Sequence, residues 1–155
     1  MTDLAPERMA ELAMQHEQYE FEQDVDKIMA TLVDQPVFEF FPQGFRVEGR
    51  DAVRKMYERL VVSILPQLDT RKEVQTRDIK GFACGESALL AEIEDDFVFP
   101  DGSTKRIRMA ATVHFDGEAI HGETTYLDAD LATVFDSVLW TPDFIALPGV
   151  SKVFP

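Results

Sequence analysis

KRIRMAATVHFDGEAIHGETTYLD, residues 105–128, is the stretch that decides the fold. Two β-compatible segments flank Asp116-Gly117, a dipeptide suited to a tight hairpin turn. In the first segment Ile107, Met109, Ala111, Val113 and Phe115 alternate with Arg106, Arg108, Ala110, Thr112 and His114. Successive side chains of a strand point to opposite faces, so one face of this strand is apolar. The pattern predicts two long antiparallel strands that form the floor of a cavity.

Working outward, residues 87–99 (SALLAEIEDDFVF) read as the strand that precedes the hairpin, ended by a turn at Pro100-Asp101-Gly102. Residues 70–80 (TRKEVQTRDIK) are polar and read as a partly exposed edge strand, with Lys and Arg discouraging further pairing. Before them lies an amphipathic helix opened by Arg50-Asp51, with Val53, Met56, Tyr57, Leu60, Val61 and Ile64 on its apolar side and Pro66 at its end. VFEFF at 37–41 reads as a short strand that puts Phe38 and Phe40 on one face. Val25, Ile28, Met29, Leu32 and Val33 predict a helix that Pro36 stops.

Residues 5–17 form a first helix on this reading. Met9, Leu12, His16 and Tyr19 recur at three- and four-residue steps and share its apolar stripe. After the hairpin, Asp128 and Asp130 are cap candidates for a last helix with Leu131, Val134, Phe135, Val138 and Leu139 inward. Residues 140–155 carry three prolines and several apolar anchors, so this tail is expected to pack on the domain or on a partner subunit. The whole is an α+β plan with helices on one face of a curved antiparallel sheet.

The 155 residues suit one domain with a true core. A net charge of −14 argues against nucleic acid and against anionic membranes as partners. Cys84 is the only cysteine, which excludes an internal disulfide and any multi-cysteine metal site. The N-terminus lacks a basic-then-apolar signal pattern, and no apolar run approaches the ~20 residues of a membrane span. A soluble cytoplasmic protein is expected. No Gly-rich phosphate loop, GxSxG elbow or histidine pair at metal-ligand spacing occurs, so neither cofactor nor metal is expected.

Three motifs in sequence order carry a resemblance. They are Asp24-x-Asp26 with IMATLVDQPVFEF, the run Gly49 to Val53 (GRDAV), and Phe115-Asp116-Gly117 with Ile120, Tyr126 and Asp128. Over roughly residues 10–139 the chain resembles the nuclear transport factor 2-like superfamily, the SnoaL-like or ketosteroid-isomerase-like cone. The resemblance implies a domain over 1–139, helices covering the concave face of the sheet, a deep apolar cavity there, and a homodimer. The acid tyrosine of ketosteroid isomerases falls on His16, their base aspartate on or beside Phe40, and their second oxyanion donor on Ala111. Two of those groups are missing and the third is changed, so that apparatus is not expected. In a limonene-epoxide-hydrolase-like register the Arg-x-Asp pair falls on Glu92 and Glu94 and the last-strand Asp on Thr125, with Phe38 and Phe40 near the early-strand positions. By the period of two, His121, Glu123 and Leu127 share the face of Thr125.

Glu92 and Glu94 lie on one strand face, ~7 Å apart by strand rise. Within an apolar cavity their mutual repulsion and desolvation would raise a pKa and make a general acid or base. On the other face they are solvated ions, with Leu89, Ala91, Ile93, Phe97 and Phe99 inward. His16 is either a satisfied core histidine or an acid/base group.

These readings combine into one expectation. It is a cofactor-independent general acid/base enzyme of lyase, isomerase or hydratase type, acting on a small apolar, possibly aromatic molecule. His16 and Glu92 or Glu94 are its candidate catalysts. Tyr19, Phe38, Phe40, Met109, His121, Glu123, Thr125 and Leu127 are its candidate ligand contacts. A non-catalytic binding or assembly module on the same fold is the alternative.

Overall fold

A computed structural model describes residues 4–62, 78–99 and 101–154. The chain opens with helix α1 (Pro6–Phe21), whose proline occupies the first turn and whose Met9, Leu12 and His16 are buried. Helix α2 (Val25–Ala30) follows, capped by the Asp24 side chain, which accepts from the Lys27 N–H at 3.1 Å.

The apolar run that predicts a longer helix is divided. Its second half, from Leu32, is the start of strand β1 (Leu32–Phe41). Arg50 bridges the junction: its guanidinium donates to the carbonyl of Met29 in the last turn of α2 (2.7 Å) and to those of Leu32 (3.2 Å) and Val33 (3.0 Å) at the start of β1. Pro36 therefore sits inside a strand and does not stop a helix. It falls where the pairing register is interrupted, between Leu32 and Val37, so its missing N–H costs no ladder bond.

Strand β2 (Phe45–Glu48) and helix α3 (Arg50–Leu60) come next. The expected positions Ile64, Pro66 and 70–77 lie outside the described residues. Then come β3 (Asp78–Cys84), β4 (Ala88–Val98), β5 (Thr104–Asp116) and β6 (Ala119–Tyr126), followed by helix α4 (Ala129–Val138), the short helix α5 (Pro142–Ile145) and β7 (Val150–Lys152).

These seven strands form one curved sheet in the order β3-β4-β5-β6-β1-β2-β7. The sheet is mixed, a correction to the all-antiparallel expectation. β1 runs parallel to β6, with Phe38 beside Glu123 and Phe40 beside Thr125. The hairpin that meets at Asp116-Gly117 is antiparallel, with Ala111 opposite Thr125 and Val113 opposite Glu123. Helices α1, α3 and α4 stand over one face of the sheet, and the core lies between.

Residues 140–154 lie on the domain. β7 pairs with β2, and Trp140 stacks on Phe45 with ring centroids 4.4 Å apart. Arg59 of α3 donates to the Val138 carbonyl, the Thr141 hydroxyl and the Asp143 carboxylate. That carboxyl is held down at about 2 by hydrogen bonds from Thr141 and Arg59.

Candidate functional site

A cavity of about 450 Å³ opens between the sheet and helices α1, α3 and α4. Its walls are mostly apolar. β1 supplies Phe38 and Phe40, β4 supplies Leu89, Ala91 and Ile93, and β5 supplies Met109, Ala111 and Val113. Its polar groups are His16, Glu17 and Glu20 of α1, Tyr57 of α3, and Glu123 and Thr125 of β6. Among the described residues no Lys or Arg lines it, and no cluster of three or more His, Cys, Asp or Glu is placed to hold a metal.

His16 is the centre of the polar set and is 5% exposed. Its Nδ1 lies 2.6 Å from the Thr31 hydroxyl and its Nε2 lies 2.8 Å from the Tyr57 hydroxyl. Glu20, one helical turn on, brings Oε1 to 3.5 Å from the same Nε2. Tyr57 is 3% exposed, and the Phe38 ring meets it edge-on at 5.5 Å. Burial pushes the Tyr57 phenol well above its usual range, and the carboxylates Glu20 and Glu123 push in the same direction. Tyr57 therefore keeps its proton at neutral pH and can donate a hydrogen bond. On the facing strand the Thr125 hydroxyl donates to Glu123 Oε1 at 2.7 Å. A ligand here would meet aromatic and aliphatic surface on most sides and a few hydrogen-bonding groups at one end, the usual make-up of a small-molecule site.

The structure brings His16, Phe38, Phe40, Met109, Glu123, Thr125 and Leu127 together around this cavity. It separates four others from it. Glu92 and Glu94 are on the outer face of β4, because Leu89, Ala91, Ile93 and Phe97 take the inner one. Arg106 donates to Glu94 at 2.9 Å and Arg108 at 3.0 Å, while Arg108 lies 3.5 Å from Glu92. The Arg106 hydrogen bond, helped by Arg108, lowers the Glu94 pKa, the opposite of what a neutral-pH general acid needs. Both glutamates thus lie on the outer face of the sheet and do not line the cavity.

His121 is also outside and exposed. The strict period of two fails between it and Glu123. His114 pairs with Gly122 but Phe115 pairs with Ile120, so an extra residue bulges from β6. Ile120 and Glu123 both face the cavity as a result, and His121 turns outward. There it lies near His114, whose pKa is lowered by burial first and by His121 second. Tyr19 sits on the far side of α1, where its hydroxyl accepts from Gln15 at 2.9 Å and Lys27 lies over its ring. Three residues past His16 rotates ~60° one way around a helix, and four residues rotates ~40° the other way. The second position, Glu20, is the one that reaches the cavity.

Tyr57, Glu20 and Thr31 are the polar partners that sequence reasoning missed. Tyr57 had a visible signal, a hydroxyl on an apolar stripe, but that pattern reads equally as core. Thr31 follows a six-residue helix and carries no pattern of its own.

No protein-family model matches the chain, and no curated protein matches it in sequence. Solved structures do match in shape. A protein of Shewanella denitrificans, named among SnoaL-like polyketide cyclases, superposes with a TM-score of 0.62 at 12% identity, covering 84% of this chain and 96% of that one. The epoxide hydrolase/cyclase-like enzyme SalBIII, of pyran ring formation in the polyether salinomycin, gives 0.60 at 15% identity over 80% and 92%. A nuclear transport factor 2-like protein of unknown function from Cytophaga hutchinsonii gives 0.59 at 12% identity over 79% and 97%. Identities this low speak to architecture alone, and the curved mixed sheet with helices over its inner face agrees with them: the chain has the nuclear transport factor 2-like fold.

Proposed function

We propose that the protein is a general acid/base enzyme of lyase, isomerase or hydratase type, working without a cofactor on a small, largely apolar and in part aromatic molecule. One observation carries this reading. A histidine, a tyrosine that keeps its proton, and the carboxylates Glu20 and Glu123 gather at one end of an otherwise apolar cavity. Proton transfer needs two positioned groups and exclusion of water, and this arrangement is suited to both. In this scheme the Tyr57 hydroxyl donates to an oxygen of the substrate, and His16 replenishes its proton. Glu123, oriented by Thr125, removes or returns a proton on the facing side. Phe38, Phe40, Met109 and Leu127 hold the apolar body. The ring-forming role of SalBIII, which shares this architecture, supports the reading. We also read the outer face of the sheet as the contact of a homodimer.

The rival reading is a binding module without catalysis, favoured by the apolar character of most of the wall. A thermal-shift screen with aromatic and terpenoid compounds should find ligands for either. A specific ligand at a hundred times its Kd stabilises by about 2.7 kcal/mol. Turnover of each hit is then followed in the wild type, His16→Ala and Tyr57→Phe, with Glu92→Gln as control. The acid/base reading expects losses of ~10²-fold or more in the first two variants and none in the control. Hits that bind without turning over, or turnover that survives both variants, would make the cavity a binding site only.

A further inference from the structure

The hydrogen bonds around His16 fix more than its position. The Thr31 hydroxyl carries one proton, and it donates that proton to the Ile28 carbonyl at 2.7 Å. Toward His16 it therefore presents only lone pairs. With that proton on Ile28, Nδ1 at 2.6 Å from Thr31 Oγ1 is matched as an N–H, since a bare nitrogen would set lone pair against lone pair in a part-buried site. The other ring nitrogen, Nε2, faces Tyr57 and the cavity.

We propose that Thr31 is a positioning residue that pins a proton on Nδ1 of His16, so that the ring gains and loses protons only at Nε2, beside Tyr57. The consequence is a choice between donor and acceptor in the cavity. With the ring neutral, Nε2 accepts the Tyr57 O–H, and the tyrosine oxygen shows lone pairs to a ligand. With the ring protonated, Nε2–H donates to Tyr57, whose own proton turns to Glu20 or to an acceptor oxygen of the ligand. Ligands with a carbonyl, ether or epoxide oxygen are thereby coupled to the charged ring, and ligands with a hydroxyl or N–H to the neutral one. Tyr57 from α3 and Glu20 on its own helix lie at Nε2, and the other titratable groups that share the cavity are Glu17 of α1 and Glu123 of β6. β1 contributes Phe38, and the end of α2 contributes Thr31 itself.

The use of this choice in turnover rests on the acid/base reading above. The placement of the proton does not, and it can be read without a substrate. His114→Gln/His121→Gln leaves His16 as the one histidine of the three in the chain. Nitrogen-15 NMR of that full-length, untagged protein, titrated with pH, distinguishes N–H from bare nitrogen at each ring position. The expected neutral form has its proton on Nδ1 and a bare Nε2. Thr31→Val should release the constraint and move the neutral-form proton wholly or largely to Nε2, while Thr31→Ser should retain the wild-type pattern. A neutral ring protonated on Nε2 in the parent overturns the proposal, even if Thr31→Val fails to fold. An unchanged pattern in a folded Thr31→Val overturns the role of Thr31. Neither result would bear on whether the cavity turns a substrate over.

Discussion

Tyr57 is a buried phenol beside His16, and burial together with the carboxylates Glu20 and Glu123 favours its protonated form. In the unfolded chain it ionises near 10.0, while in the fold its pKa is well above that value. The sign follows. Below pH 10 both states hold the proton and stability does not depend on it. Above pH 10 the unfolded state alone loses it, so stability falls with rising pH. Tyr57→Phe removes a buried hydrogen bond and should cost about 1–2 kcal/mol at neutral pH. That deficit should shrink by about 1.4 kcal/mol per pH unit above 10. Urea unfolding of both proteins from pH 7 to 11 measures it, and a constant gap would contradict the placement of Tyr57. At this scale the sequence was legible where a polar residue interrupts an apolar stripe, as at His16. It was not legible for Tyr57 or Thr31, because only contacts between distant segments distinguish a hydroxyl that partners His16 from one that merely packs.

Single elements tell a similar story. Alternation in 105–115 read correctly, because both faces of β5 are continuous. The same rule misplaced His121, because a bulge of one residue cancels a period of two. Gly122 makes the bulge possible: a Cβ there would lie 1.7 Å from the Val37 carbonyl oxygen of β1. No side chain fits against that backbone, so Gly122→Ala should destabilise by roughly 3 kcal/mol or more. It should also disturb the neighbouring Glu123 and the ligand affinity with it. Chemical denaturation checks this, and a loss under about 1 kcal/mol would mean that β6 does not bulge against β1. The glutamates of β4 were misread for a different reason. Their row was aligned by resemblance, whereas the apolar alternation from Leu89 to Phe97 already placed them outward, and Arg106 and Arg108 hold them there. Similarly, Leu32 and Val33 continue a helical period by coincidence; they belong to β1, where Arg50, distant in sequence, holds their carbonyls.

Over the whole molecule the outer sheet face divides in two. One part is charged, with Glu92, Glu94 and Asp96 set among Arg106 and Arg108. The other is neutral, with Leu90, Ala110, Thr112, Thr124 and Tyr126 on paired strands; Leu90 is 39% and Tyr126 50% exposed. An uncharged strip with exposed Leu90 and Tyr126 beside a charged rim is compatible with an association surface. The proposed homodimer should therefore run as two copies in light scattering, and Leu90→Glu/Tyr126→Glu should run as one with unchanged circular dichroism. A wild-type protein that stays single across a wide range of concentration would remove the dimer from consideration.

The parallel pairing of β1 with β6 has a consequence in time. Val37 meets Gly122 about 85 residues further along the chain, and Phe45 meets Lys152 further still, so the central ladder closes only across long loops. A ribosome making this protein releases the N-terminal helices and the first strand long before their partner exists. During that interval the aromatic face of β1, with Phe38 and Phe40, has no β6 beside it and must wait, sheltered by α1 and α3 or by a chaperone. The same phenylalanines that line the cavity are thus apolar groups that the nascent chain carries before their partner strand is made.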